Sequence, residues 1–329
     1  MNYKLNKGAQ QLTKLLGIEI PIIQAPAGGT VTSDLVAEVS NTGAFGGIPL
    51  SWSSPEVATA MIKEVRSKTD KPFYANFVLN FEPVALQTAL DLGVKTIQFS
   101  WGMPTPEMID LIRAANGVMG IQVTNLEASR TAIALGADYL VCQGIEAGGH
   151  VQSSRPLLTI LENILKLADG IPVVASGGIA DAKAMHRYMA MGAAGVVMGS
   201  RFVATKESGA HLKYKNALVK AKAEDTIFTV CMNKGWDSAA HRILRNKTTE
   251  LWEAAGCPVI GERPGEFDIV ARRANNDPIE RYDSDSPLQG MTGDVETMAN
   301  YAGHSVNNIH DIPSVQELID SIWNEFKIL

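Results

Sequence analysis

One stretch of the chain combines side chains and backbone freedom in a way that chemistry can use: Gln143-Gly144-Ile145-Glu146-Ala147-Gly148-Gly149-His150. Glycine has no Cβ, so this loop can approach a bound molecule closely. His150 stands directly against it, and an imidazole with an ordinary pKa of about 6.5 can serve as a general base near neutrality. Taken alone, the same letters also describe a tight strand-to-helix turn ending in a surface histidine. Two further glycine turns, Ser176-Gly177-Gly178-Ile179 and Met198-Gly199-Ser200-Arg201, have the character of a phosphate site. Backbone amides at the start of a helix, together with its dipole, favour an anion there. Arg201 and Lys206 follow closely enough to assist, or simply to be solvated.

Other reactive side chains read as structural. Glu146 lies inside a glycine-rich turn, where a carboxylate orients its neighbours or accepts backbone N–H groups. Cys142 is flanked by apolar residues and reads as a buried, inert thiol. His186, His211, His241 and His310 fall on charged stretches and read as solvated. Trp52, Trp101 and Tyr301 suit either a substrate pocket or the core.

These residues need elements to place them. Short apolar runs alternate with helical patterns from residue 20 to about 200, and the runs fall at 20–25, 45–50, 73–78, 96–100, 118–123, 139–142, 172–176 and 195–198. Strands without polar alternation are buried on both faces, as parallel strands are. Eight strand–helix units in succession predict a TIM (β/α)8 barrel rather than an open doubly wound sheet. Helices are expected at 35–40, with Ser33 or Asp34 as cap, and at 55–66, with Pro55 in the first turn. Others are expected at 83–91, 105–115, 126–135, 157–168 and 181–191. In such a barrel the site lies at the C-terminal strand ends. Those ends supply Gln24-Ala25, Gly46-Gly47, Asn76, Gln98, Gln122, Gln143 and the two glycine turns. Amides and backbone groups dominate, without an acidic pair or a metal cluster. They suit a large, polar, uncharged ring system carrying a phosphate.

The organisation predicted is a barrel core over residues 1–205 and a helical, loop-rich subdomain over 206–312 on the substrate side of the barrel mouth. A C-terminal helix within 313–329 then packs back on the barrel. Residues 208–250 are expected to be helical and 255–295 to be loop. The loop-rich segment is the candidate interface if the chain forms a homodimer.

Composition narrows the function classes. With 29 basic and 35 acidic residues the net charge is −6, which argues against nucleic acid as a partner. No run of 18 apolar residues predicts a membrane span. Residues 1–11 lack the apolar centre of a signal peptide. The three cysteines share no CxxC spacing, which suits a reducing cytoplasm rather than a disulfide framework.

The EAGGH stretch ending at His150, with Ser176-Gly177-Gly178-Ile179-Ala180 and Met198-Gly199-Ser200-Arg201-Phe202, resembles the nitronate monooxygenases, formerly called 2-nitropropane dioxygenases. Ile23-Gln24-Ala25-Pro26, Gly290-Met291-Thr292-Gly293-Asp294 and Tyr301-Ala302-Gly303 extend the likeness over nearly the whole chain. The resemblance implies an FMN-dependent TIM barrel that oxidises alkyl nitronates with O2 to carbonyl compounds and nitrite. It implies FMN contacts among Ala25, Asn76, Gln143, Gly148, Gly149, Gly177, Gly178, Val197, Met198, Gly199 and Ser200. His150 is then the catalytic histidine: a base if neutral nitroalkanes are accepted, otherwise an electrostatic partner of the nitronate. Tyr301 and His304 fall on the substrate side. Three places depart from the family pattern: Ala27-Gly28-Gly29 after the first proline, Val151-Gln152-Ser153-Ser154 after His150, and His304 after Gly303. The chain also resembles FMN-dependent, NAD(P)H-using enoyl-acyl-carrier-protein reductases, around residues 208–226. A flavin-binding barrel without activity is a third possibility.

Overall fold

A computed structural model describes residues 4–237 and 239–329. Residues 1–3 of the polar N-terminal stretch lie outside it. Eight parallel strands form the barrel: β1 Ile22–Gln24, β2 Gly46–Pro49, β3 Phe73–Val78, β4 Thr96–Ser100, β5 Val118–Val123, β6 Tyr139–Gln143 and, after a two-residue strand β7 at Gly149–His150, β8 Val173–Ser176 and β9 Gly195–Met198. Their spatial order is β1-β9-β8-β6-β5-β4-β3-β2. The ring closes where Phe45, just before β2, bridges Ile23 of β1. The amide of Gln24 donates to the Phe45 carbonyl at 3.0 Å and that of Phe45 to the Ile22 carbonyl at 2.9 Å. The TIM-barrel expectation therefore holds.

Alternation along the strands sorts two apolar layers. Ile23, Tyr74, Tyr139, Val141, Val174 and Val197 turn into the barrel and pack on one another. Leu12 and Leu16 of the N-terminal helix Lys7–Leu16 join this cluster and plug the barrel's floor. Leu140, Cys142, Ala175 and Met198 turn outward, against the surrounding helices. Local sequence sets most helix starts. Ser54, Thr105, Asp181 and Ser314 each accept an amide two or three residues into the following helix, the ordinary N-cap arrangement. At the second helix, Ser33–Asn41, the cap is Thr32 rather than Ser33 or Asp34. The last helix, Val315–Phe326, buries Val315, Leu318, Ile319, Ile322 and Phe326. It packs on helices Ser33–Asn41 and Ala182–Ala190, in the gap left by the four-residue helix Ser200–Val203 after β9.

The stretch 208–250 departs from its helical expectation. Helices occupy only Leu212–Lys220 and Lys247–Ala254. Between them run β10 Thr226–Thr229 and β11 His241–Leu244, an antiparallel pair. The 255–295 segment is not all loop: β12 Ile269–Arg272, β13 Pro278–Glu280 and β14 Thr292–Gly293 make a second small sheet. Between Gly293 and the last helix lie two short 3-10 turns, Val295–Thr297 and His304–Asn308. No helix among the described residues is long and apolar enough to cross a membrane.

Candidate active site

A cavity of about 590 Å³ opens at the C-terminal ends of the barrel strands, within the usual size of small-molecule and cofactor sites. Of the residues singled out from the sequence, Ala25, Asn76, Gln143, Gly148, Gly149, His150, Gly177, Gly178, Val197, Gly199, Ser200 and Tyr301 line it. Met198 does not: it follows inward-facing Val197, so strand alternation sends its side chain into the outer apolar layer. His304 is not among the lining residues either. Its amide donates to the Glu146 carbonyl at 2.9 Å, which ties the chain's last third to the loop after β6.

That loop is held on several sides. The Glu146 carboxylate accepts the Leu157 amide at 2.9 Å, at the start of helix Leu157–Ala168, so it is a capping residue. The Arg242 guanidinium donates to the Ile145 carbonyl at 3.0 and 3.2 Å. Gln143 Oε1 accepts the Gln152 amide at 2.9 Å. A Cβ at position 148 would overlap the Gly303 amide nitrogen and the Ala302 carbonyl carbon, so only glycine lets the two loops touch. Gly178, with φ +70, takes the left-handed backbone open to glycine. On the barrel floor of the cavity, the side-chain amides of Asn76 and Gln98 lie 3.2 Å apart, and Tyr139 Oη donates to Gln98 Oε1 at 3.1 Å.

His150 is the centre of the arrangement, and its setting is not the one its neighbours in sequence suggest. It forms β7, which pairs antiparallel with β11, so that His150 lies opposite His241. His241 was expected to be solvated but is fully buried. Its Nδ1 lies 2.8 Å from the Ala239 carbonyl and its Nε2 accepts the Met232 amide at 3.2 Å. Those two bonds fit only a neutral ring with the proton on Nδ1. Burial drives the His241 pKa down to about 4. Burial, and to a lesser degree the facing His241, pushes His150 down to about 3. Trp236 stacks on the His150 ring at 4.3 Å, and Tyr301 stands 5.3 Å away. His150 Nε2 is buried without a hydrogen-bond partner. Such an atom costs about 1–3 kcal/mol and is explained where a ligand completes it.

The two low pKa values make stability pH-dependent. The unfolded chain protonates both imidazoles as pH falls through about 6.5, whereas the folded protein resists until about 4 and 3. Their contribution is therefore complete above pH 6.5 and lost progressively below it. His241→Gln removes one titrating group, so its unfolding free energy, from urea titrations, should fall less steeply than the wild type's between pH 6.5 and 4.5. The slopes should differ by up to about 1.4 kcal/mol per pH unit. Parallel slopes would show that His241 is not held neutral.

The cations expected near a phosphate are engaged elsewhere. Arg201 donates to Asp311 Oδ1 at 3.0 Å and to the Asp311 and Ala204 carbonyls at 2.9 Å. Lys206 pairs with Glu317 at 3.2 Å. Among the described residues, no group of three or more His, Cys, Asp or Glu side chains could hold a metal ion. Cys142 is fully buried in the outer layer, and burial raises its thiol pKa well above the ordinary range. It is inert, as expected. Sequence reasoning missed His241, Arg242, Gln152 and Trp236. Ala240-His241-Arg242-Ile243-Leu244 is a strand-like run, and reading it so would have exposed the first two.

Known proteins resemble this chain in sequence and in fold. The nitronate monooxygenase family matches residues 9–87 and 82–325. A nitronate monooxygenase of Pseudomonas aeruginosa is 32% identical over 307 residues, covering 79% of this chain and 86% of the relative. FabK of Thermotoga maritima superposes with a TM-score of 0.81 and 29% identity, over 97% of this chain and 96% of that one. A nitroalkane oxidase of Streptomyces ansochromogenes superposes with a TM-score of 0.76 and 26% identity, over 96% and 97%. A strand-end cavity, a histidine with an open nitrogen and a glycine-built loop thus occur in a chain that belongs to the nitronate monooxygenase family of flavin-dependent oxidoreductases.

Proposed function

We propose that this enzyme uses FMN and O2 to oxidise alkyl nitronates to carbonyl compounds and nitrite. The observation that carries the reading is the buried, unpartnered Nε2 of His150 at the wall of a cavity lined by amides and glycine turns. Asn76, Gln98 and Gln122 would offer amide edges to the flavin ring, and the turns at Gly177-Gly178 and Gly199-Ser200 would take its phosphate. FMN, when bound, supplies the redox chemistry that the side chains lack. His150 then has a positioning and electrostatic task. A neutral imidazole with its proton on Nε2 donates a hydrogen bond to an oxygen of the nitronate anion. A conjugate acid with a pKa of about 3 makes a poor base at neutral pH. The site therefore suits the nitronate, which is already deprotonated, better than the neutral nitroalkane. Aromatic walls would keep bulk water from the anion, which strengthens that hydrogen bond. The three cysteines, Cys142, Cys231 and Cys257, are free, in keeping with the reducing cytoplasm we propose as its compartment.

A second reading has its own support in the superposition on FabK: an NAD(P)H-dependent enoyl-acyl-carrier-protein reductase. Two assays on the purified flavoprotein separate them. With propyl nitronate in air, oxygen uptake and nitrite release are expected, and the neutral nitropropane at pH 7 should react at least about 100-fold more slowly. Under argon, NADH and NADPH should bleach the flavin slowly. Fast bleaching without nitronate turnover would establish the reductase instead. Protein that carries no yellow chromophore after expression with ample flavin would remove both.

A further inference from the structure

The outer half of the cavity is built differently from the amide floor. Aromatic rings run from its rim to the active-site histidine. Trp52, 57% exposed at the surface, meets Phe81 at 5.4 Å between ring centroids. Phe81 meets Trp236 at 5.2 Å, and Trp236 meets Trp101 at 4.8 Å and His150 at 4.3 Å. Trp52, Phe81, Trp101 and Trp236 all line the cavity. A nitronate with a two- or three-carbon chain would leave most of this row without contact.

Trp101 shows that the row is held in place at a cost. Its φ is +57, a left-handed conformation that strains a bulky residue and recurs at functional sites. Gln152 holds it there. Gln152 Oε1 accepts the Trp101 amide at 3.1 Å and Gln122 Nε2 at 2.7 Å, while the Gln152 amide donates to Gln143 Oε1 at 2.9 Å. One side chain thus fixes the strained tryptophan to the amide floor and to the loop bearing His150. Gln152 lies in Val151-Gln152-Ser153-Ser154, the segment directly after His150.

We propose that this aromatic row is a substrate wall that selects nitronates carrying a flat ring over short-chain alkyl nitronates, with Gln152 as the positioning residue that sets Trp101. The proposal rests on the nitronate reading for its substrate class, and on the ring geometry for its selectivity. Stacking of a substrate ring against one such side chain is worth up to about tenfold in affinity.

The test pairs turnover with binding in the FMN-loaded full chain. Phenylmethyl nitronate should show a kcat/KM at least about tenfold above ethyl nitronate, chiefly through KM. Benzoate, a flat-ringed carboxylate with the anion shape of a nitronate, should bind at least about tenfold tighter than propionate by calorimetry. Trp101→Leu and Trp236→Leu should each lower both ratios several-fold. Gln152→Ala should lower them too, and Gln152→Glu, which keeps an acceptor oxygen for Trp101 and Gln122, should restore part of the loss. If neither nitronate is oxidised yet benzoate keeps its advantage, the nitronate reading fails and the wall stands. Equal binding of benzoate and propionate by the wild type overturns the wall, whatever the turnover, and needs no variant to fold.

Discussion

Replacing His150 by phenylalanine should lower kcat/KM for propyl nitronate by about 10²–10³ while flavin content stays near that of the wild type. The size follows from removing a buried donor aimed at charge in a desolvated site. Phenylalanine is the informative replacement because the His150 ring also supports Trp236, stacked at 4.3 Å. It keeps a ring against Trp236 while deleting both ring nitrogens. Alanine removes both, so the two variants should be similarly impaired if the Nε2 hydrogen bond is what matters. Glutamine retains an N–H donor and should recover part of the rate. The loss should appear chiefly in KM, since the hydrogen bond to the anion is already made in the bound substrate. A phenylalanine variant with wild-type kinetics would remove His150 from the chemistry and leave it a packing residue. The pH profile offers an independent check. With the free-enzyme pKa held down to about 3, kcat/KM should show no histidine limb between pH 6 and 7.

The second large effect concerns two adjacent glycines that differ in their reason for being glycine. Gly148→Ala should deplete the purified protein of flavin and destabilise it by about 1–3 kcal/mol, the usual cost of overpacking. Its new Cβ would meet backbone atoms of Ala302 and Gly303, which cannot swing aside as a side chain can. The loop after β6 and the segment at 302–303 would have to separate, disturbing the cavity wall at Gly148 and Ala147. Gly149→Ala is the contrast. Its φ is +75 and no atom lies within 4 Å of the added Cβ. Only conformational strain applies, about 1–2 kcal/mol, with the cavity intact. Flavin-to-protein ratio by absorbance and thermal melting read both. Equal flavin content in the two variants would mean that the 148–303 contact does not shape the site.

How much of this was legible in the sequence depended on whether the determinants were local. The strands at 73–78, 96–100, 118–123 and 195–198 appear at their expected bounds, because continuous apolar runs flanked by polar or glycine residues are self-announcing. The helix starts at Pro55 and near Thr105 are legible for the same reason, whereas the cap of the second helix is Thr32, one residue before the expected Ser33 or Asp34. The glycine loops were legible as an anion-friendly cradle, since backbone freedom is written in the residue type. What failed was set at a distance. His241 reads as solvated when 208–250 is taken as one charged helical stretch, yet strand pairing with residues 149–150 buries it. Arg201, open in sequence to either phosphate or solvent, takes neither: Asp311, more than a hundred residues on, claims it. Met198 stood one residue out of phase with the pocket, a distinction the glycine motif does not carry. Trp101 gave no sign that its backbone is left-handed, because the glutamine that holds it belongs to another loop.

The pairing of β7 with β11 also orders events during synthesis. The barrel strands are complete once the chain reaches residue 198, and domains tend to fold as the N-terminal part emerges. The histidine loop, however, lacks its partner strand until His241–Leu244 has been made, and lacks its far wall until Ala302 and Gly303 arrive. A nascent barrel would thus exist for a time with its mouth unfinished. A flavin bound at this mouth would have to be captured late, after the last third of the chain has closed it.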